Sequence, residues 1–224
     1  MIYLTSKLFD KEINLETSKF YTIVIENRKL NYDVSKYLYN EFSAKEDYFT
    51  IFKDDKKLDI TNEATFVFNL FSLDLNTKRN INALYKILRK SCSDTLQADI
   101  KNIKNEIVKV VQQISLDFDI ELGVNNDIRE DDLFKIVDLR FSEGDDSYLL
   151  RFKKYVETVY ELLGVRVFFI YHLHDYFNKN ELDTIFHELS YKNMSLINLE
   201  ISQNYEKSEN EEFIVIDQDL CSIE

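Results

Sequence analysis

Three groups of residues have the types and spacing that chemistry needs. The first is acidic: Asp117, Asp119 and Glu121 alternate, and Asp127 and Asp132 follow closely. Carboxylates at this density repel one another unless a cation neutralises them. Ca²⁺ accepts many oxygen ligands in flexible geometry, so it suits irregular acidic backbone. Alternate residues of an extended stretch face one way, so the first three can share a site that Asp127 and Asp132 close. The DxDxDG spacing of an EF-hand is absent. A solvated acidic loop accounts for the same residues. The second group is His172-Leu173-His174-Asp175, directly after an apolar run. Alternate histidines at a strand end face one side, as in the opening of some metallohydrolase sites. The remaining histidine, His187, lacks the second His of HExxH. A polar pair closing a strand is the plainer reading. The third group is basic: Lys78, Arg79, Lys86, Arg89 and Lys90, with a smaller cluster at Lys53, Lys56 and Lys57. Lys86, Arg89 and Lys90 stand at i, i+3 and i+4, one face of a helix. Such a row can track a phosphate backbone, or simply be a solvated face. No Ser/His/Asp or Cys/His arrangement is readable.

These groups must be held by elements that the apolar pattern reveals. Phe20–Ile25, Tyr48–Phe52, Thr65–Phe68, Val165–Ile170, Ser195–Ile201 and Phe213–Ile216 read as strands. Helical spacing follows the first, in Leu30, Val34, Tyr37, Leu38 and Phe42, and the fourth, in Leu182, Ile185, Phe186 and Leu189. Alternation of this kind predicts an α/β layer with largely parallel pairing. Residues 77–163 differ, with almost no strand pattern. Thr77 is placed to cap a first helix. Leu96, Ile100, Ile103, Ile107, Val110 and Ile114 then form a heptad-like stripe. A third helix runs from about Ser147 to Leu163, with Gly164 as its C-terminal cap. The expected architecture is a discontinuous α/β head, residues 1–76 and 164–224, interrupted by an α-helical leg, residues 77–163.

The 224 residues include 45% hydrophobic side chains, enough for a substantial core. There are three glycines, Gly123, Gly144 and Gly164. Neither the phosphate loop nor the dinucleotide fingerprint can be built from them, which excludes a P-loop ATPase or a Rossmann dehydrogenase. Cys92 and Cys221 form no zinc or disulfide framework and suit a reducing compartment. Without an apolar run of membrane-spanning length or a signal-peptide pattern, the expectation is a cytoplasmic protein with no membrane partner. The net charge of −13 argues against nucleic acid only as a single number. Residues 117–146 carry −8 and residues 200–224 carry −7, so the remainder is +2, and Lys78–Lys104 alone is +5.

The order of segments resembles the CRISPR-associated spacer-acquisition family specific to type II-A systems. The carriers are Phe49-Thr50-Ile51-Phe52-Lys53, Leu73-Asp74-Leu75-Asn76-Thr77, Asn82-Ala83-Leu84-Tyr85-Lys86-Ile87-Leu88, Phe118-Asp119-Ile120-Glu121, Asp132-Leu133-Phe134-Lys135-Ile136, Val167-Phe168-Phe169-Ile170 and Tyr176-Phe177-Asn178-Lys179-Asn180-Glu181-Leu182. The resemblance implies a P-loop-ATPase-like sheet without the nucleotide motif and an inserted helical leg. It implies a non-enzymatic protein that binds double-stranded DNA ends without sequence preference, as a Ca²⁺-stabilised homotetrameric ring with a lysine-rich inner wall. Its partners would be other adaptation proteins, the integrase complex and the effector nuclease. Asp119 and Glu121 match the family's calcium region, with Asp117, Asp127 and Asp132 beside them. The eight basic residues above are physical candidates for the DNA-facing wall. A metal-dependent hydrolase or nuclease using the 117–132 segment or His172 and His174 is the alternative.

Overall fold

The computed structural model describes residues 1–15, 20–40, 42, 47–91, 94–116, 123, 129–142, 144 and 146–223. Two compact units divide the chain: Met1–Leu75 with Gly144–Glu224, and Asn76–Glu143.

The first unit is α/β and holds two sheets. Strands β1 (Ile2–Ser6), β2 (Ile13–Asn14), β4 (Phe49–Lys53) and β5 (Lys56–Lys57) form a small antiparallel sheet in the order β2-β1-β4-β5. The larger sheet contains β3 (Phe20–Ile25), β6 (Ala64–Val67), β7 (Val167–Tyr171), β8 (Ser195–Glu200), β9 (Glu211–Ile216) and β10 (Ser222–Ile223) in the order β10-β9-β3-β8-β7-β6. Its β9, β3, β8, β7 and β6 run parallel, and β10 returns antiparallel. Strands β3 and β8 lie at the centre, covered on both faces: every residue of each is buried, the polar Ser195, Asn198 and Glu200 of β8 included.

Helices α1 (Arg28–Tyr39), α2 (Ile60–Glu63), α6 (Tyr148–Leu163) and α7 (Lys179–Leu189) complete the unit. Alternation along β3 separates two cores. Tyr21, Ile23 and Ile25 pack with Val34, Tyr37 and Leu38 of α1 and with β1 and β4. Phe20 faces the opposite way, toward Phe152, Val156 and Val159 of α6 and Leu182, Ile185 and Phe186 of α7. Asn27 caps α1 by accepting from the Leu30 N–H at 3.1 Å. Gly164 ends α6 at φ 71°, a left-handed backbone that glycine adopts without Cβ strain.

Strand β4 departs from the sequence expectation. It pairs antiparallel with β1, Ile2 opposite Lys53 through Ser6 opposite Phe49, and takes no part in the parallel sheet. Helix α6, grouped with the leg in the sequence reading, falls in the α/β unit because its apolar face is buried in the α7-side core.

The second unit is helical: α3 (Lys78–Lys90), α4 (Asp94–Ser115) and α5 (Glu130–Ile136). Thr77 caps α3, its hydroxyl accepting from the Asn80 N–H at 3.3 Å. Asn76 clamps the two ends of this unit together. Its side chain donates to the Phe141 carbonyl (3.2 Å) and accepts from the Phe141 N–H (2.8 Å). Tyr85 packs on Phe134 and donates to the Leu139 carbonyl at 3.0 Å.

Candidate nucleic-acid interface

The basic candidates fall in both units. Helix geometry places Lys78, Arg89, Lys86, Arg79 and Lys90 within an arc of about 120° on α3, at ~100° per residue. All five are exposed, while Asn80 and Tyr85 are buried. The segregation is physical: Ile81, Leu84, Tyr85 and Leu88 lie on the other side of α3, which excludes the charges from it. Arg89 leans toward Asp131 of α5 at 3.7 Å. Lys53, Lys56 and Lys57 lie on the β4–β5 hairpin and are exposed, with Lys57 paired to Asp47 at 2.9 Å. Asp54 and Asp55 sit in the same turn, both at positive φ. The hairpin is therefore mixed in charge, whereas every charged residue of α3 is basic.

Of the acidic candidates, Asp117, Asp119, Glu121 and Asp127 lie outside the described residues. Asp132 stands in the first turn of α5, where an acid complements the helix dipole. Its carboxylate accepts from Lys135 at 3.0 Å and from the Arg129 N–H at 3.1 Å, and these bonds hold it below the ordinary aspartate pKa. Glu130 is lowered in the same way, mainly by Lys104 at 2.9 Å. Asp131, which sequence reasoning did not single out, has a buried Oδ1 with no hydrogen-bond partner. Its neighbours Glu130 and Asp132 were the available signal, but only the fold shows which of the three turns inward.

The apolar stripe of α4 remains largely uncovered. Leu96, Ile103, Val110 and Ile114 are each about half exposed, between 47% and 57%. A sustained stripe of this kind on a 22-residue helix is normally seated against something.

The histidine pair has a different fate from a metal site. His174 is 3% exposed and lies between two carboxylates that are fully buried. Its Nδ1 is 3.1 Å from Glu200 Oε1, and its Nε2 is 3.1 Å from Glu211 Oε1. Burial alone would lower the imidazole pKa. Hydrogen bonds to Glu200 and Glu211, together with their charge, outweigh it and push the value up to about 9. Asn198 donates to Glu200 at 2.9 Å, and Thr22 donates to Glu211. His172 has a left-handed backbone (φ 55°), with Nδ1 3.1 Å from Asp175 and 3.4 Å from Glu200 Oε2. Among the described residues no group of three or more His, Cys, Asp or Glu is arranged to hold a metal ion.

Residues 41–220 match the family model described as CRISPR-associated protein (Cas_Csn2). The chain belongs to this family, the CRISPR-associated Csn2 proteins of type II-A systems. It is thus a protein associated with CRISPR adaptation. No curated protein matches the chain. The Csn2 match spans both units, so the basic α3 face and the buried His174 cluster belong to one family domain rather than to an appended module. Among the described residues no helix is long and apolar enough to cross a membrane.

Proposed function

We propose that this Csn2-family chain is a non-enzymatic subunit that binds the ends of double-stranded DNA without sequence preference and acts as a calcium-braced homotetrameric ring. The observation that carries the reading is the arc of five basic residues on α3. Lys and Arg in a row on one helix face neutralise phosphates and release counterions, which supplies affinity without reading bases. Lys53, Lys56 and Lys57 offer a second, weaker contact. The half-exposed α4 stripe suits association between copies of the chain. The integrase complex and the effector nuclease of the same adaptation machinery are the partners this role implies, in the cytoplasm.

Calcium fits the chemistry of the acidic segment. Asp131 offers a buried carboxylate oxygen without a partner, and Asp132 lies next to it. Asp117, Asp119, Glu121 and Asp127, nearby in sequence, would supply further hard-oxygen donors. The bound ion would cancel carboxylate repulsion beside the basic face. His174 gives the hydrolase alternative no support, because both its ring nitrogens are taken by buried carboxylates.

The decisive experiment mixes the protein with linear and covalently closed duplex, each with Ca²⁺ or with a chelator. The expected outcome is binding to linear duplex alone, weakened on chelation and falling steeply with salt. Equal binding to closed circles, or undiminished binding after chelation, overturns the mechanism.

A further inference from the structure

The β8-to-β9 connection is unusual for a parallel sheet. It crosses past β3 through residues 201–210, and it contains no helix. Parallel crossovers are commonly longer and helical. This strap also covers a polar floor rather than an apolar one. Thr22, Asn198, Glu200 and Glu211 are all buried there on the sheet, with His174 beside them.

The strap is pinned to that floor at identifiable points. The Tyr205 ring stacks on the His174 ring, centroids 4.8 Å apart and planes 20° from parallel. The Tyr205 hydroxyl donates to Asp175 at 3.1 Å. The Ser208 N–H donates to Glu211 Oε2 at 3.0 Å. The Ser208 hydroxyl and the Glu209 N–H both donate to Asp183 of α7, the latter at 3.0 Å. The last residues of the strap, Glu209 and Asn210, also form a wall of a cavity of about 520 Å³ whose floor includes Phe20, Phe186, Leu189 and Met194.

We propose that residues 201–210 are a proton-latched cover, closed while His174 is an imidazolium between Glu200 and Glu211, and opened locally when that proton is lost. The argument is one of buried charge. A neutral imidazole has one N–H, yet both ring nitrogens face buried carboxylates. Only the doubly protonated ring donates to both and places a cation between them. Deprotonation leaves two buried anions with no cation between them, even where Asn198 Nδ2, 3.0 Å from Nδ1, turns its N–H to the freed lone pair, and that is costly unless water enters. Phe20 and Phe213 flank the ring at 6.2 Å, and the strap, stacked on it through Tyr205, is the side whose opening would admit water. Opening also removes one wall of the adjoining cavity.

The groups facing His174 are Glu200 from β8, Glu211 from β9, His172 and Asp175 from the turn after β7, and Tyr205 from the strap. Asp183 of α7 reaches it through Ser208. Burial, with Glu200 and Asp175, pushes the Tyr205 phenol up to about 12, so its own ionisation falls above the His174 transition.

Hydrogen exchange of the full chain between pH 6 and 10, corrected for intrinsic rates, tests the latch alongside imidazole nitrogen NMR. We expect His174 to stay doubly protonated through pH 8. Protection of residues 202–209 should fall at least about tenfold as it titrates, while β3 and β8 stay protected. Glu211→Gln should move both transitions to lower pH together. Tyr205→Leu should loosen the strap at every pH and leave the titration in place. A His174 that titrates like a free imidazole overturns the proposal. So does strap protection that is flat across the transition, or a β3 that opens along with the strap.

Discussion

The two units handle charge in opposite ways. In the α/β unit the decisive charges are inside, where His174, Glu200 and Glu211 are desolvated and obliged to pair. In the helical unit they are outside, where the five cations of α3 are exposed to solvent. The difference teaches that a formal charge means little until its burial is known. A buried ion is committed to its partner and costs much when that partner is removed. An exposed one contributes little to folding and can act on a ligand.

The largest expected effect tests the buried side of the comparison. Glu211→Ala should destabilise the protein by about 3–5 kcal/mol, because it strands buried polar groups, whereas Lys86→Ala should change stability by no more than about 0.5 kcal/mol. Urea denaturation of the two variants measures this, and similar losses would break the comparison.

The next effect is the pH response. The His174 pKa is about 9 folded against 6.5 for an ordinary imidazole. Its contribution is therefore complete below about pH 6.5 and lost as pH rises through about 9. The loss should reach up to about 3 kcal/mol, at ~1.4 kcal/mol per pKa unit. All three histidines, His172, His174 and His187, lie in the α/β unit. Hydrogen exchange should thus show the loss in residues 202–209 of that unit and leave α3 unchanged.

A third prediction concerns the exposed side. The combined change Lys86→Ala, Arg89→Ala, Lys90→Ala should weaken linear-duplex binding at least about tenfold and reduce the salt slope by about one per lost phosphate contact. Titration at several salt concentrations checks it, and an unchanged slope would remove α3 from the interface.

The smallest effect separates charge from helix integrity. Thr77→Ala removes the α3 cap and should cost about 1 kcal/mol without altering the basic face. DNA binding at a temperature where the variant stays folded should be preserved.

What the sequence revealed was local. The apolar runs of β3 and β7, the periodicity of α4, and the caps Thr77 and Gly164 depend on residues within one element. The heptad-like stripe was visible, but its exposure was not, because periodicity does not say what covers a face. Strand β4 was legible as a strand, but its antiparallel pairing with β1 was not. Its partner β1 is a short segment with only Ile2 and Leu4 fully buried, too brief to announce a separate sheet. The buried network was illegible for a different reason. Thr22 and Glu211 bond across 189 positions, and no spacing rule links them. His174 carried the chemistry of a metal ligand, a ring nitrogen near carboxylates. Burial between two glutamates made it an internal counter-ion instead.

The strand order has a consequence for synthesis on the ribosome. Strand β3 pairs with β8 and β9 alone, Phe20 opposite Leu196 on one side and Glu211 on the other. The helical unit is continuous in sequence, but β3 must wait while about 170 more residues are made. At ~5–20 residues per second that is roughly ten to thirty seconds. Throughout that time the segment Phe20-Tyr21-Thr22-Ile23-Val24-Ile25, uncharged and rich in β-branched and aromatic side chains, lacks both its sheet partners. Nascent chains should therefore depend on chaperone shielding of this one hexapeptide more than on any property of the finished fold.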